Sequence, residues 1–260
     1  MTDHIPVIER EMKEPVPFEP LVVGLVSEWP GIGASTFARY ADTVNLPGMH
    51  KYVNVPPSQH EDALQTFGET YAIRMRGLLN EFARTAGLSD GIDTDDMVAM
   101  SKIHKQIRTD GNGSAVINGL EGLGRKVVLI DAIRHPLDAV HIKRRGGYIL
   151  GLTGPEEVAN ARFLADNNDQ KHASGPSTPE RRASLEVAKR ELQPEDPADP
   201  FSSDILSCLF MADIRVDFSG NDKAVTFALG MAALRDIALD KLGLVELTRQ
   251  SPQIHAEIPA

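Results

Sequence analysis

Leu21-Val22-Val23-Gly24-Leu25-Val26 is a short, wholly apolar run, followed at once by turn residues and then by a helical pattern. Such a run suits a strand buried on both faces, which occurs in parallel sheets covered by helices. Three further runs repeat the theme: Val127-Val128-Leu129-Ile130, Tyr148-Ile149-Leu150-Gly151-Leu152, and the alternating Ile214-Arg215-Val216-Asp217-Phe218. Helical patterns separate them over 136–144, 155–166 and 204–211, and a long one follows over 221–242. Strand alternating with helix predicts an α/β fold, a parallel sheet wrapped by helices. Residues 63–86 carry Leu64, Phe67, Tyr71, Met75, Leu78, Leu79 and Phe82, mostly at helical spacing, and are expected to form one long amphipathic helix. Another helix is expected after Asp93-Thr94-Asp95-Asp96, running to about Arg108, and a short one over 115–123.

The 260 residues can bury a sizeable core without staples. Residues 1–19 are charged and proline-containing and read as an arm; 20–245 read as one domain; 246–260 read as a polar tail. Within the domain, 166–203 are polar and punctuated by proline, as in a mobile lid or a solvated excursion. With 27 Lys+Arg against 37 Asp+Glu the net charge is −10, which argues against tracking a nucleic-acid duplex by its phosphates. No signal-length or membrane-length apolar run occurs, so the expectation is a cytoplasmic protein without a membrane partner. Cys208 is the only cysteine, and no histidine spacing matches a zinc site.

The loop after the first strand carries the strongest chemical signal. A phosphate-binding loop reads G-x-x-x-x-G-K-[ST] between strand and helix, its glycines letting backbone N–H groups face the anion. Here the stretch is Glu28-Trp29-Pro30-Gly31-Ile32-Gly33-Ala34-Ser35-Thr36. The second glycine and the hydroxyl are present, but Glu28 replaces the first glycine and Ala34 the lysine. Two readings are open from the loop alone: a phosphate cradle weakened in transfer, or a glycine-rich turn that binds nothing. Trp29 is read either as a base-stacking or as a packing residue.

Asp131 ends the second apolar run, in Ile130-Asp131-Ala132-Ile133-Arg134-His135-Pro136. An acid at the carboxyl end of a central strand sits at the ligand edge of an open α/β sheet and suits Mg2+, a hard cation. Its plain alternative is a helix cap. Arg134 could meet an anionic substrate with its planar fork.

Together, Gly-x-Gly-x-[ST] after a first strand, the Asp131–Pro136 segment and Cys208-Leu209-Phe210-Met211-Ala212-Asp213 resemble the nucleoside-monophosphate kinase group of P-loop proteins. The likeness is to its dephospho-CoA-kinase-like and deoxynucleotide-kinase-like branch, including domains of that type in antiphage deaminases. It spans about residues 20–242, and only the Asp131–Pro136 segment with its strand is specific. The resemblance implies a three-layer α/β fold of the P-loop NTPase type, a parallel sheet with a helical acceptor-binding region and a lid insertion, using ATP as donor and Mg2+. It implies that Gly31, Ile32, Gly33, Ala34, Ser35 and Thr36 surround the donor phosphates, with Ser35 and Asp131 at the metal. It further implies that Arg134 and Arg108 hold acceptor phosphate and that Arg162 is the lid arginine. Arg162, Lys171, Arg181 or Arg182 could replace the missing lysine from the lid, or simply form its solvated surface.

Two functions follow. One is Mg2+-dependent phosphoryl transfer from a nucleoside triphosphate to a nucleotide or deoxynucleotide monophosphate. The alternative is a P-loop domain that binds a nucleotide as a sensor or regulator, for which Ala34 and Glu28 speak. A modifier of phage DNA bases on the same fold is disfavoured by the charge. The oligomeric state is not fixed by the sequence.

Overall fold

The structure is a computed structural model that describes residues 20–44, 46, 60–89, 97–110, 116–117, 120, 123–124, 126–165, 179–190, 203–220 and 222–247. The arm, nearly all of the tail, most of the 166–203 segment and the Asp93–Asp96 cap lie outside the described residues.

Five strands form one all-parallel sheet: β1 (Leu21–Ser27), β2 (Thr70–Arg74), β3 (Val127–Asp131), β4 (Tyr148–Thr153) and β5 (Ile214–Asp217), in the order β2-β3-β1-β4-β5. The helices are α1 (Ala34–Thr43), α2 (Met75–Thr85), α3 (Met97–Thr109), α4 (Pro136–Arg144), α5 (Glu156–Ala165), α6 (Pro179–Arg190), α7 (Ile205–Phe210) and α8 (Lys223–Lys241). Side chains alternate across each strand. Leu21, Val23 and Leu25 of β1 therefore join α1 and α8 on one face. Val22 and Val26 join α2, α3, α4 and α7 on the other. The fold is the three-layer α/β arrangement that the apolar runs require.

The helix expected over 63–86 is not one helix. Glu61–Thr66 is a 3-10 helix, Thr70–Arg74 is β2, and only Met75–Thr85 is α-helical. β2 is an edge strand, paired with β3 alone, and Tyr71 on it is 46% exposed. With one flank open it does not need the continuous apolarity of β1 or β3. No breaker separates it from α2, whose N-cap is the last strand residue, Arg74. The apolar spacing runs through both elements and imitates a single helix.

The Cys208–Asp213 segment ties the sheet together. Asp213 is buried, accepts the Ile149 N–H at 2.9 Å, and pairs with Lys143 Nζ at 2.5 Å. Its own N–H donates to Ile149 O at 2.8 Å, so it docks the approach to β5 onto β4. Burial, with Asp138 and Asp204 nearby, pushes the Cys208 thiol well above its usual range, so it stays protonated and packs as a small apolar residue. Among the described residues no helix is long and apolar enough to cross a membrane.

Candidate functional site

Strand order locates the site. The chain leaves β1 for β2 with α1 on one face, and leaves β3 for β4 with α4 on the other. β1 and β3 are neighbours, so the connections at their carboxyl ends part and open a crevice, where open α/β sheets take ligands. A cavity of about 880 Å³ lies there, bordered by the loop 29–36 and by Asp131.

The loop is shaped by two glycines. Gly31 has φ 88°, and a Cβ on it would stand 2.3 Å from Ala159 O and 2.7 Å from Phe163 Cβ, so α5 presses against this residue. Gly33, with φ 117°, is the N-cap of α1, and a Cβ there would meet nothing nearer than Phe218 Cδ1 at 3.9 Å. No side chain caps α1. Its first amides, at Ala34, Ser35 and Thr36, have no acceptor within the helix, which makes this end a ready anion site. The Ile32 N–H instead closes the loop, donating to Trp29 O at 3.2 Å. Trp29 both lines the cavity and packs partly against the α1 face of the core.

Glu28 has a local task. Its Oε2 accepts the Gly154 N–H at 3.0 Å, and its N–H donates to Leu152 O at 2.9 Å, fastening the loop to the end of β4. Ala34 is buried with the α1 core.

Ser35 and Asp131, 96 residues apart, meet: the Ser35 hydroxyl donates to Asp131 Oδ2 at 2.5 Å. Asp131 is 4% exposed and lines the cavity. Both are hard oxygen donors, which fits Mg2+ completed by water and phosphate oxygens. Among the described residues no group of three His, Cys, Asp or Glu could hold a metal ion.

Arg134 is exposed at the cavity, on the loop between β3 and α4. Arg162, on α5, also lines it, but its guanidinium is committed to carbonyls: Nη1 donates to Ile32 O at 3.3 Å and to Phe218 O, and Nη2 to Gly220 O. It staples α5 to the loop 29–36 and to the turn after β5. Two cavity cations escaped the sequence reading, Arg39 and Lys223. Arg39 follows Ser35 by one helical turn, and its Nε donates to Ser35 O at 3.3 Å; that spacing could have flagged it. Lys223 opens α8 just after its cap Asp222. Of the expected lid cations, Lys171 and the Arg181 side chain lie outside the described residues, and Arg182 is exposed on α6.

Arg108 requires a correction. It is not among the residues lining the cavity, and it is 7% exposed in the last turn of α3. Its Nε and Nη2 grip Asp138 Oδ1 and Oδ2 at 2.9 and 2.7 Å, and Asp138 is 1% exposed. A guanidinium engaged on both arms by a buried carboxylate cannot also reach an acceptor phosphate.

His104, one turn before Arg108, contacts Asn80 Oδ1 through Nε2 at 2.6 Å. Burial first, and then the charges of Arg108 and Arg76, lower its pKa to about 4. The native state therefore holds His104 neutral where the unfolded chain, titrating near 6.5, binds a proton. Stability from this residue is full above about pH 6.5 and is lost as pH falls toward 4. Urea titrations across that window should show the midpoint falling with pH, and His104→Gln should flatten the slope.

No protein-family model matches the chain, and no curated protein does. Among solved structures it is similar to shikimate kinase from Bacteroides thetaiotaomicron, at TM-score 0.40 and 10% identity over 86% of this chain and 99% of that chain. It is also similar to shikimate kinase from Aquifex aeolicus vf5, at TM-score 0.36 and 14% identity over the same shares of the two chains.

Proposed function

We propose that this chain is a P-loop phosphotransferase that takes ATP with Mg2+ and transfers the terminal phosphoryl group to a nucleoside or deoxynucleoside monophosphate. The observation that carries the reading is the Ser35–Asp131 contact at the parting of β1 and β3, next to the uncapped start of α1. Backbone amides of the loop cradle the donor phosphates, and Ser35 and Asp131 hold the cation. Mg2+ would neutralise charge on the donor's phosphate oxygens. Arg134 holds the acceptor phosphate and orients its attacking oxygen. That oxygen bonds to the terminal phosphorus while the bond to the leaving diphosphate breaks, giving two nucleoside diphosphates. Arg162 keeps the loop and α5 in register around the donor.

Ala34 supports a second reading, in which the nucleotide binds as a signal without turnover. The backbone cradle does not need the lysine, whereas transfer loses a cation aimed at transition-state charge, commonly about 10²–10³ in rate.

Titration with ATP, with and without Mg2+, followed by a product assay on a panel of nucleoside monophosphates, separates the two. The transfer reading expects Mg2+-dependent ATP binding and diphosphate product. Asp131→Asn should lower affinity for ATP in Mg2+ by about 10- to 100-fold, the weight of a charged hydrogen bond, and abolish product. Binding without product establishes the sensor. No nucleotide binding overturns both.

A further inference from the structure

We infer that the buried Arg108–Asp138 pair is a clamp that aims Arg134, making Arg108 a positioning residue for the acceptor although it lies away from the cavity. The acceptor role of Arg134 rests on the function proposed above; the clamp itself rests on the backbone around it.

The loop carrying Arg134 leaves β3 through Ala132, whose φ of 64° is left-handed, a conformation that an alanine keeps only where its surroundings hold it. Backbone bonds hold the loop on two sides. Ile133 N–H donates to Leu25 O of β1 at 3.1 Å, and Asp204 N–H, at the start of α7, donates to Arg134 O at 2.8 Å. The third side is the first turn of α4, where Asp138 N–H closes onto His135 O at 3.0 Å. The carboxylate of that same Asp138 is gripped by Arg108 from the last turn of α3. α3 is thereby fixed to the turn that follows Arg134.

An ion pair is a poor way to gain net stability in a buried place, since apolar residues of similar volume often do as well. What the fork adds is direction: two parallel bonds set both the distance and the angle between α3 and α4. Arg134 is exposed beside the cavity, and its backbone sets where the side chain starts and how far its guanidinium reaches. A shift of that backbone would lengthen or misdirect its charged hydrogen bonds to the acceptor phosphate, a loss felt first in acceptor binding.

The test is Arg108→Met/Asp138→Leu, which removes both charges together and is expected to fold. Hydrogen exchange should quicken by roughly 10-fold in peptides covering 132–136 and stay unchanged in those covering 21–27 and 34–40. KM for the monophosphate acceptor should rise by about 10-fold or more, with ATP affinity unchanged and kcat altered far less. Unchanged exchange over 132–136 overturns the clamp whatever the enzyme does. Faster exchange with an unmoved acceptor KM overturns the positioning role. A wild-type protein that turns over no acceptor refutes the proposed function, and exchange then decides the clamp alone. If the double variant does not fold, Arg108→Lys keeps the charge, loses the fork, and is read in the same two ways.

Discussion

An Arg108→Met variant is expected to lose about 3–5 kcal/mol of folding stability, read as a large fall in the urea midpoint at pH 7. The loss comes from what stays behind: a carboxylate at Asp138, 1% exposed, with both of its guanidinium bonds removed. Adding Asp138→Leu to the same chain should restore most of it, because the stranded charge is gone and only the pair's small net contribution is missing. The double variant is thus expected to be more stable than the single one, against the usual rule that two lesions are worse than one. Lys143→Met provides a scale. Lys143 is 31% exposed, and Asp213 would keep the Ile149 N–H after losing it, so a clearly smaller drop is expected. A single Arg108 variant as mild as Lys143→Met would mean that Asp138 finds water, and the pair could not then be the anchor of α4.

The pattern of success and failure in reading the sequence has a physical order. β1, β3 and β4 are legible because strands buried on both faces must be apolar throughout, and few other elements demand that. The edge strand β2 is hidden because one open flank relaxes that demand, and because it runs straight into α2. The 2.5 Å approach of Ser35 to Asp131 is consistent with the sequence pattern, since Asp131 ends β3 and Ser35 opens the helix that follows its neighbour β1. The side chains around them were not. Nothing near Arg108 in sequence announces that its partner lies 30 residues on, inside the protein, rather than on a ligand. Arg162 fared likewise: its position on the helix after β4 is as expected, but the carbonyls at 32, 218 and 220 that engage it are brought there only by folding. Glu28 looked like damage to a glycine pattern, and the structure gives it the Gly154 amide instead. In each case the sequence showed which group was charged or flexible, and distant chain determined what it faced.

The two loop glycines separate these levels by experiment. Gly31→Ala adds a methyl carbon 2.3 Å from the Ala159 carbonyl, a backbone atom that can yield only if α5 moves, and it forces an alanine to φ 88°. Left-handed strain of about 1–2 kcal/mol and overpacking of about 1–3 kcal/mol together predict a loss on the order of 2–5 kcal/mol. Moving α5 also drags Arg162 from Ile32 O, so the loop should lose its order and nucleotide affinity should fall with stability. Gly33→Ala should behave differently. Its φ of 117° is strained for alanine, but the added carbon meets nothing closer than 3.9 Å, so only the backbone term applies, about 1–3 kcal/mol. It should fold with α5 in place while its loop amides are turned from their native directions, so phosphate affinity should suffer more than stability. Urea unfolding and ATP titration of both variants give the comparison. If Gly31→Ala is as stable as Gly33→Ala, α5 is free to ride away from the loop, and the Arg162 staple is too weak to shape the donor site.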